Sequence, residues 1–516
     1  MKKIILTIRL RWAENPLPLI LWMAIFARLV SVIFAKGWGM LDDHFLVIEV
    51  AQSWADGGDV SLWLPWTAGN EGPTGHSFFY AGLHYLLFSF MNIIGFDSPQ
   101  WRMFVIRLIH GAFSLITVYL GYKIANQLSD KKTARMTGLL LAVSWFMPWL
   151  SVRNLVEVVA TPFLMIGTWM ILKTEEKKNL WKTFLLAGFI VGIAFSVRFQ
   201  TIIYGGGMGL ALLFYKKFKE GIVFGAGYFV AVILIQGGID FIVWQQPFAE
   251  LTEYVRYNLE NAYNYITGGW YNYLLLLLGV MIPPVSIFLL IGFFVNWRKH
   301  LLIFLPTFLF LAFHSYFPNK QERFIFTIVP FIIILGMVGW NFILNNSGFW
   351  KKNLKLNTGI WIFFWTLNII LLIPVSTMYS KRARVEAMTH LSHYKNITLI
   401  IIENTNEIGV DIVPKFYSAQ WPKVYELTKS KPAGLLPDFT INPELEPRFV
   451  LFYREDNLEK RLTEVKKIIP GLVPETVALP SFVDRVMHWL NPNNKNETIY
   501  IYRNTKFFPE GKNRNF

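Results

Sequence analysis

From residue 17 to about residue 377 the chain is a succession of apolar runs separated by short polar turns. A segment needs roughly 20 largely apolar residues to cross the hydrocarbon core of a membrane. About eleven runs approach that length, near 17–36, 102–125, 134–150, 153–172, 183–200, 202–215, 222–243, 271–295, 300–314, 322–342 and 357–377. The pattern predicts a polytopic α-helical membrane protein, in which a short run such as 300–314 is a span or a partly re-entrant element enclosed by protein. Past residue 378 the pattern changes. "NITLIIIENT" and "RFVLFYRED" read as strands, "DNLEKRLTEVKKIIPGL" as an amphipathic helix ended by Pro and Gly, and "ETIYIYRN" as another strand. The expected organisation is a transmembrane domain over 1–378 with a large outer loop at 37–101, followed by a small α/β domain over 379–516.

Charge sharpens this picture. Lys and Arg total 49 against 34 for Asp and Glu, a formal excess of +15, which in a soluble chain would suggest a nucleic-acid partner. The positions assign it to topology instead. With the N-terminus in the cytoplasm, the inner turns and flanks carry Lys2, Lys3, Arg9, Arg11, Lys131, Lys132, Arg135, Lys173, Lys177, Lys178, Lys182, Lys216, Lys217, Lys219, Arg298, Lys299, Lys351, Lys352 and Lys355, while 37–101 has neither Lys nor Arg. This is the positive-inside asymmetry. It places 37–101, the turn near 151, 244–271 and 314–321 outside, together with the tail, in spite of the Lys381, Arg382, Arg384 cluster. The opening "MKKIILTIRLRWAENP" resembles the start of a signal sequence, but no small-residue cleavage site follows, so the first run reads as a retained helix. The chain has no cysteine, hence no disulfide and no thiolate metal site. An integral membrane protein is expected, in the inner membrane if the source is bacterial, with its active site on the extracytoplasmic side and with lipids and no nucleic acid among its partners.

The candidate chemistry lies in the outer segments. "MLDDHFLVIEVAQSW" places Asp42, Asp43 and Glu49 just beyond the exit of the first span, in a loop with seven acidic residues and no base. A capping role for one aspartate is the plainer alternative. His44 reads as a polar loop residue. Adjacent Asp, Asp and His point in divergent directions, which suits a shared metal poorly, although a Mg or Mn ion on one or two carboxylates remains open. The second cluster, "HSYFPNKQERFIFTIVPF", places His314, Lys320, Glu322 and Arg323 at the mouth of a span on the same expected side. Arg323 and Lys320 suit a phosphate at headgroup depth, and a structural Glu322–Arg323 pairing is the alternative. Within the runs lie Arg28, Arg107, His110, Arg153 with Glu157, Arg198 and Asp240. Charges in lipid are expensive and face a cavity or a partner. Acids on one loop and bases on another describe a site for an anionic lipid substrate and a reaction that needs a base.

"MLDDHFLVIEVA", "GIDFIVWQQPFAELTEYVRYNLENA", "GGWYNYLLLLLGVMIPP" and "HSYFPNKQERFIFTIVPFI" occur in that order, and together they resemble the Alg9 and PIG-B class of lipid-dependent mannosyltransferases, glycosyltransferase family 22, of GT-C fold. The resemblance covers roughly residues 20 to 345. It implies a multi-span transferase that takes mannose from a polyprenyl-phosphate donor on the outer face. By position, Asp42 and Asp43 fall on the family's acidic pair, Glu49 on its downstream Glu, Asp240 on its membrane Asp, Asn258 on the Asn after an aromatic, and His314, Lys320, Glu322 and Arg323 on its basic signature. Met40-Leu41 stands for the usual His-Pro, Asp43 for Glu, and His76 for an Arg after the first loop.

The implied reaction is transfer of a sugar, mannose by resemblance, to a glycan or glycolipid acceptor. Asp42 is the expected base and Asp43 the group that orients the acceptor, while Arg323, Lys320 and His314 stabilise the leaving phosphate. Inversion is implied by the resemblance. The alternatives are transfer of another lipid-phosphate-linked group such as aminoarabinose, a flippase or transporter, which inverted repeats would favour and the sequence lacks, or a binding tail on a membrane anchor.

Overall fold

The computed structural model describes residues 12–58, 72–73, 75–176, 180–295, 297–408, 412–432, 446–492 and 498–509. Lys2, Lys3, Arg9, Arg11, Lys177 and Lys178, which contribute to the expected topology, lie outside the described residues.

The chain packs as two units. The first comprises Met1–Ile33, Val60–Leu83 and Ile106–Thr377, the second Phe34–Asp59, His84–Val105 and Met378–Phe516. The expected single cut near 378 is therefore joined by four further crossings, because two stretches in and beside the first loop, Phe34–Asp59 and His84–Val105, belong with the tail.

Among the described residues six helices are long and apolar enough to cross a membrane: Leu17–Phe34, Pro99–Leu128, Leu180–Val197, Phe218–Trp244, Val329–Asn346 and Leu354–Ser376. Five apolar helices are shorter, Phe78–Ile93, Val156–Leu172, Phe199–Phe214, Val285–Phe294 and Leu301–Tyr316. The chain is thus polytopic and largely α-helical. Two of the eleven expected runs are each split in two: 134–150 becomes Lys131–Val143 and Met147–Ser151, and 271–295 becomes Asn272–Val280 and Val285–Phe294. The second break falls at Pro283-Pro284, where two successive residues lack the N–H that a helix uses. Phe78–Ile93 is an apolar helix within a segment expected to be loop.

In the first unit, glycines let helix backbones meet. A Cβ on Gly188 would fall on the Phe224 carbonyl, and one on Gly227 on the Leu185 carbonyl, which fixes Leu180–Val197 against Phe218–Val232. In "YGGGMG", Gly205 lies under the Tyr228 ring and Gly207 against Pro306, the close helix packing that small residues permit in membranes.

In the second unit the tail forms a five-stranded sheet: β1 Leu399–Asn404, β2 Lys423–Thr428, β3 Phe449–Tyr453, β4 Leu472–Ala478 and β5 Ile499–Asn504. The order is β2-β1-β3-β5-β4, with β1 parallel to β2 and β3, and β5 antiparallel to β3 and β4. β1 and β3 are buried throughout; β3 is apolar along its length, and β1 is apolar up to Glu403, whose buried carboxylate is paired with Arg461. One face of the sheet takes the helix Leu458–Ile468, whose Leu458, Leu462 and Val465 pack against Leu399, Ile401, Val450 and Phe452. Full burial of each such aliphatic side chain stabilises by about 1.5–3 kcal/mol.

Candidate active site

Each charged residue of the first-unit cluster sits where a helix starts, stops or breaks. Glu157 lies in the first turn of Val156–Leu172. Arg198 is the extended residue between Leu180–Val197 and the turn Phe199–Thr201. His314 is in the last turn of Leu301–Tyr316, and Arg323 in the short turn Glu322–Ile325. An apolar helix has no place for a charge along its lipid-facing length, but its ends can aim one inward.

These ends converge. Glu157 Oε1 lies 3.1 Å from Arg198 Nη2 and 3.8 Å from Arg323 Nε. The carboxylate is 0% exposed, and among the described residues neither of its oxygens has a hydrogen-bond partner, so the two guanidiniums hold it by charge and not by aligned hydrogen bonds. Both arginines flank the Phe324 ring, at 5.2 and 5.8 Å from its centroid. Gln200 Oε1 accepts from Arg198 Nε and Nη2 at 3.2 and 2.9 Å and lies 3.0 Å from His314 Nε2, while His314 Nδ1 donates to the Phe310 carbonyl at 2.8 Å. Arg323 Nε donates to Gln321 Oε1 at 2.9 Å. Tyr254 hydrogen-bonds Gln200 and feels the charges of Arg198, Glu157 and Arg323, and burial raises its phenol above the usual value. Gly75, next to His76, approaches the Tyr254 backbone, and His76 itself is partly exposed.

Other expected residues have different surroundings. The Lys320 ammonium donates to the carbonyls of His314, at 2.7 Å, Ser315, at 2.8 Å, and Phe317. It therefore closes the C-terminal end of Leu301–Tyr316, where orphan carbonyls and the helix dipole favour a cation, and its three donors are all engaged. Burial lowers its pKa. Glu322 is exposed, and Arg323 faces Glu157. Asn258 donates to the Tyr254 carbonyl at 2.8 Å within its own helix. Asp240 is fully buried, accepting from Gln236 Nε2 at 2.8 Å and from the Glu250 amide at 3.2 Å. Glu250 accepts from the Phe78 amide at 3.0 Å, Gln236 at 2.9 Å and Trp244 Nε1 at 3.1 Å. Burial, and then the charge of Asp240, push Glu250 up to about 9. The network anchors the start of the helix Ala249–Glu260 that carries Tyr254.

In the second unit, Asp42 and Asp43 open a continuous helical run, Leu41–Asp43, His44–Glu49 and Val50–Ala55, whose middle segment is a π-helix. Such segments are rare and frequent at functional sites. Asp42 is partly exposed and Asp43 is 3% exposed. His44, expected as a polar loop residue, is buried between Trp38 and Tyr417, with ring centroids 5.1 and 5.4 Å away and planes within 15° and 13° of parallel. Glu49 Oε1 accepts the Phe416 amide at 3.0 Å and lies 3.5 Å from His44 Nε2. Glu49 thus braces the run that presents Asp42 and Asp43.

Among the described residues no three His, Asp or Glu side chains converge to hold a metal ion. A divalent cation would have one or two carboxylates and water as its ligands. Sequence reasoning missed Gln200, Tyr254, Gln236 and Glu250; the signal for the first and third is an amide inside an apolar run.

A polytopic bundle whose helix ends gather arginines around one buried carboxylate, with an acidic run beyond the first span and an α/β tail, defines a membrane-embedded glycosyltransferase of GT-C fold. The chain belongs to the Alg9-like mannosyltransferase family, whose model matches residues 19–421. It is similar to GPI alpha-1,2-mannosyltransferase 3 of Danio rerio, 22% identical over 319 residues, 60% of this chain and 57% of that protein. The same protein of Bos taurus is 23% identical over 386 residues, 72% of this chain and 65% of that one. The chain spans about three fifths of the length of these curated relatives. In fold it is similar to ArnT from Cupriavidus metallidurans bound to undecaprenyl phosphate, with a TM-score of 0.59, 11% identity, and coverage of 95% of this chain and 98% of that one. The Archaeoglobus fulgidus oligosaccharyltransferase tethered with an acceptor peptide gives 0.50, at 11% identity, covering 90% and 73%.

Proposed function

We propose that the protein transfers a hexose, mannose, from a polyprenyl-phosphate donor to a glycan or glycolipid acceptor on the extracytoplasmic face of the membrane, with inversion. The observation that carries this reading is the convergence at Glu157, where Arg198 and Arg323 face one carboxylate. Two guanidiniums gathered beside a buried acid suit an anionic ligand such as a sugar phosphodiester. As the glycosidic bond breaks, the leaving polyprenyl phosphate moves toward the second charge of a monoester, and fixed guanidiniums stabilise that charge without reorganisation. Asp42 takes the proton of the acceptor hydroxyl as the oxygen attacks the anomeric carbon, and Asp43 orients it. Direct attack with one base inverts the centre, whereas retention needs a carboxylate nucleophile beside a second acid/base group.

Family membership supports mannose, and the likeness to ArnT supports a polyprenyl phosphate. The second reading is that the lipid phosphate carries another group such as aminoarabinose, since the same cations would serve any sugar on that phosphate. The test is transfer by the purified protein from polyprenyl-phosphate mannose, with GDP-mannose as the control donor. Product from the lipid donor alone fits the proposal. Product only from the nucleotide sugar rejects it, and movement of labelled lipid across vesicles without product indicates a flippase.

A further inference from the structure

A cavity of about 210 Å³ is lined entirely by residues of the second unit. It is lined by Gln52 and Asp56 from the C-terminal end of the helical run that begins at Asp42, by Asn92, by Asp97 and Arg102 at the start of a spanning helix, and by Trp421 from the tail. Its volume, far above the ~10–15 Å³ that admits a single water, has room for a pyranose ring.

The lining is built. Asp56 Oδ1 accepts from Gln52 at 2.8 Å and Asn92 at 3.1 Å, and its Oδ2 accepts the Trp421 indole N–H at 2.9 Å. Arg102, 5% exposed, donates to Gln52 Oε1 at 2.6 Å, to the Phe96 carbonyl at 2.7 Å and to Asp97 at 3.4 Å. These bonds fix the wall and argue against other occupants. Asp56 already accepts three N–H donors, which suits a cation poorly. Two carboxylates against one guanidinium repel an anion, and the polar lining disfavours an apolar ligand. An indole beside charged and amide groups fits a molecule with an apolar C–H face and a rim of hydroxyls that both donate and accept.

We propose that this cavity is a distal acceptor subsite that binds one neutral sugar unit of the acceptor glycan; the assignment rests on the glycosyl-transfer reading. At 1.5 Å per residue along the run, Asp56 lies roughly 20 Å from Asp42. The bound unit is therefore several sugars away from the hydroxyl that reacts, and the enzyme measures acceptor length as well as acceptor end.

The test uses the full-length protein in detergent and manno-, gluco- and N-acetylglucosamine oligosaccharides of increasing length, read in two ways. Saturation-transfer NMR without donor reports binding, and transfer assays report kcat/KM against acceptor length. We expect binding by at least one series, weakened about tenfold by Trp421→Ala, as loss of an aromatic contact and its packing implies. Asp97→Asn, at a side chain 82% exposed and safe for folding, should weaken it about two- to fivefold. A rise of kcat/KM once the acceptor spans the gap should flatten in both variants. Failure of every oligosaccharide to bind, or binding and length dependence indifferent to both substitutions, overturns the subsite. Binding sensitive to Trp421→Ala with no product from any lipid donor keeps the site and rejects the transferase reading; product without length dependence does the reverse.

Discussion

Glu157→Gln separates a phosphate site from an ordinary buried ion pair. The carboxylate is fully buried and lies 3.1 and 3.8 Å from two guanidiniums. At an effective dielectric near 20 these contacts are worth ~5 and ~4 kcal/mol in gross Coulomb energy. Desolvation consumes much of that, and removal of one partner from a buried pair costs about 3–5 kcal/mol net. The amide keeps the shape and removes the charge, so the ligand-free variant should unfold several degrees below wild type in detergent. If the arginines are there for a lipid phosphate, that ligand supplies the missing anion. Undecaprenyl phosphate should then raise the melting temperature of Glu157→Gln more than that of wild type, and bind about tenfold tighter, the equivalent of about 1.4 kcal/mol of relieved repulsion. Arg323→Met should weaken the same binding. The assay is ligand-dependent thermal unfolding with a titration of the lipid in detergent. A folded Glu157→Gln protein that binds undecaprenyl phosphate no better than wild type would make the cluster a structural brace and not a phosphate site.

Three further outcomes follow from the geometry. Glu250, pushed up to about 9 from an ordinary 4.5, keeps in the folded state a proton that the unfolded chain releases near 4.5; the folded state binds more protons in that window, so stability falls as pH rises from about 4.5 through 9. Glu250→Gln should flatten this slope in melting curves at several pH values, and an unchanged slope would mean that the carboxyl is ionised. Tyr417→Ala removes a ring 1% exposed and should cost about 3–5 kcal/mol locally, with faster hydrogen exchange over residues 38–49 and lost transfer; a chain ended at 378 that still transfers sugar would show that the tail does not support Asp42 and Asp43. Lys320→Met should lower thermal stability while raising donor KM less than Arg323→Met does, because its ammonium is spent on three carbonyls; the opposite ranking would put Lys320 on the phosphate.

The membrane class and the α/β tail were legible because they rest on local patterns, apolar runs in one case and buried strands with an amphipathic helix in the other. The breaks were less so, although Pro283-Pro284 is a readable one. The candidate site was legible as residue types and not as partners. Arg153 is four residues from Glu157 and invites a pairing on one helix, yet the carboxylate meets Arg198 and Arg323, which only tertiary packing brings near. Lys320 in a basic signature reads as a phosphate ligand, but the carbonyls it caps belong to a helix end that periodicity locates only to within a turn. His44 among acids reads as exposed; its burial depends on Tyr417, far along the chain. Glu250 carries no signal of its own in the sequence, and only the fold places it against Asp240.

If Asp42 activates an acceptor for direct attack on a lipid-phosphate sugar, its amide variant must lose chemistry and keep the donor lipid. Single-turnover transfer from polyprenyl-phosphate mannose, with NMR of the anomeric proton in the product, tests it most directly in wild type and Asp42→Asn. The expected result is an inverted product from wild type and a chemical step slowed by ~10²-fold or more in the variant, with undecaprenyl phosphate still bound. A retained anomer, or an Asp42→Asn protein as fast as wild type, would contradict it.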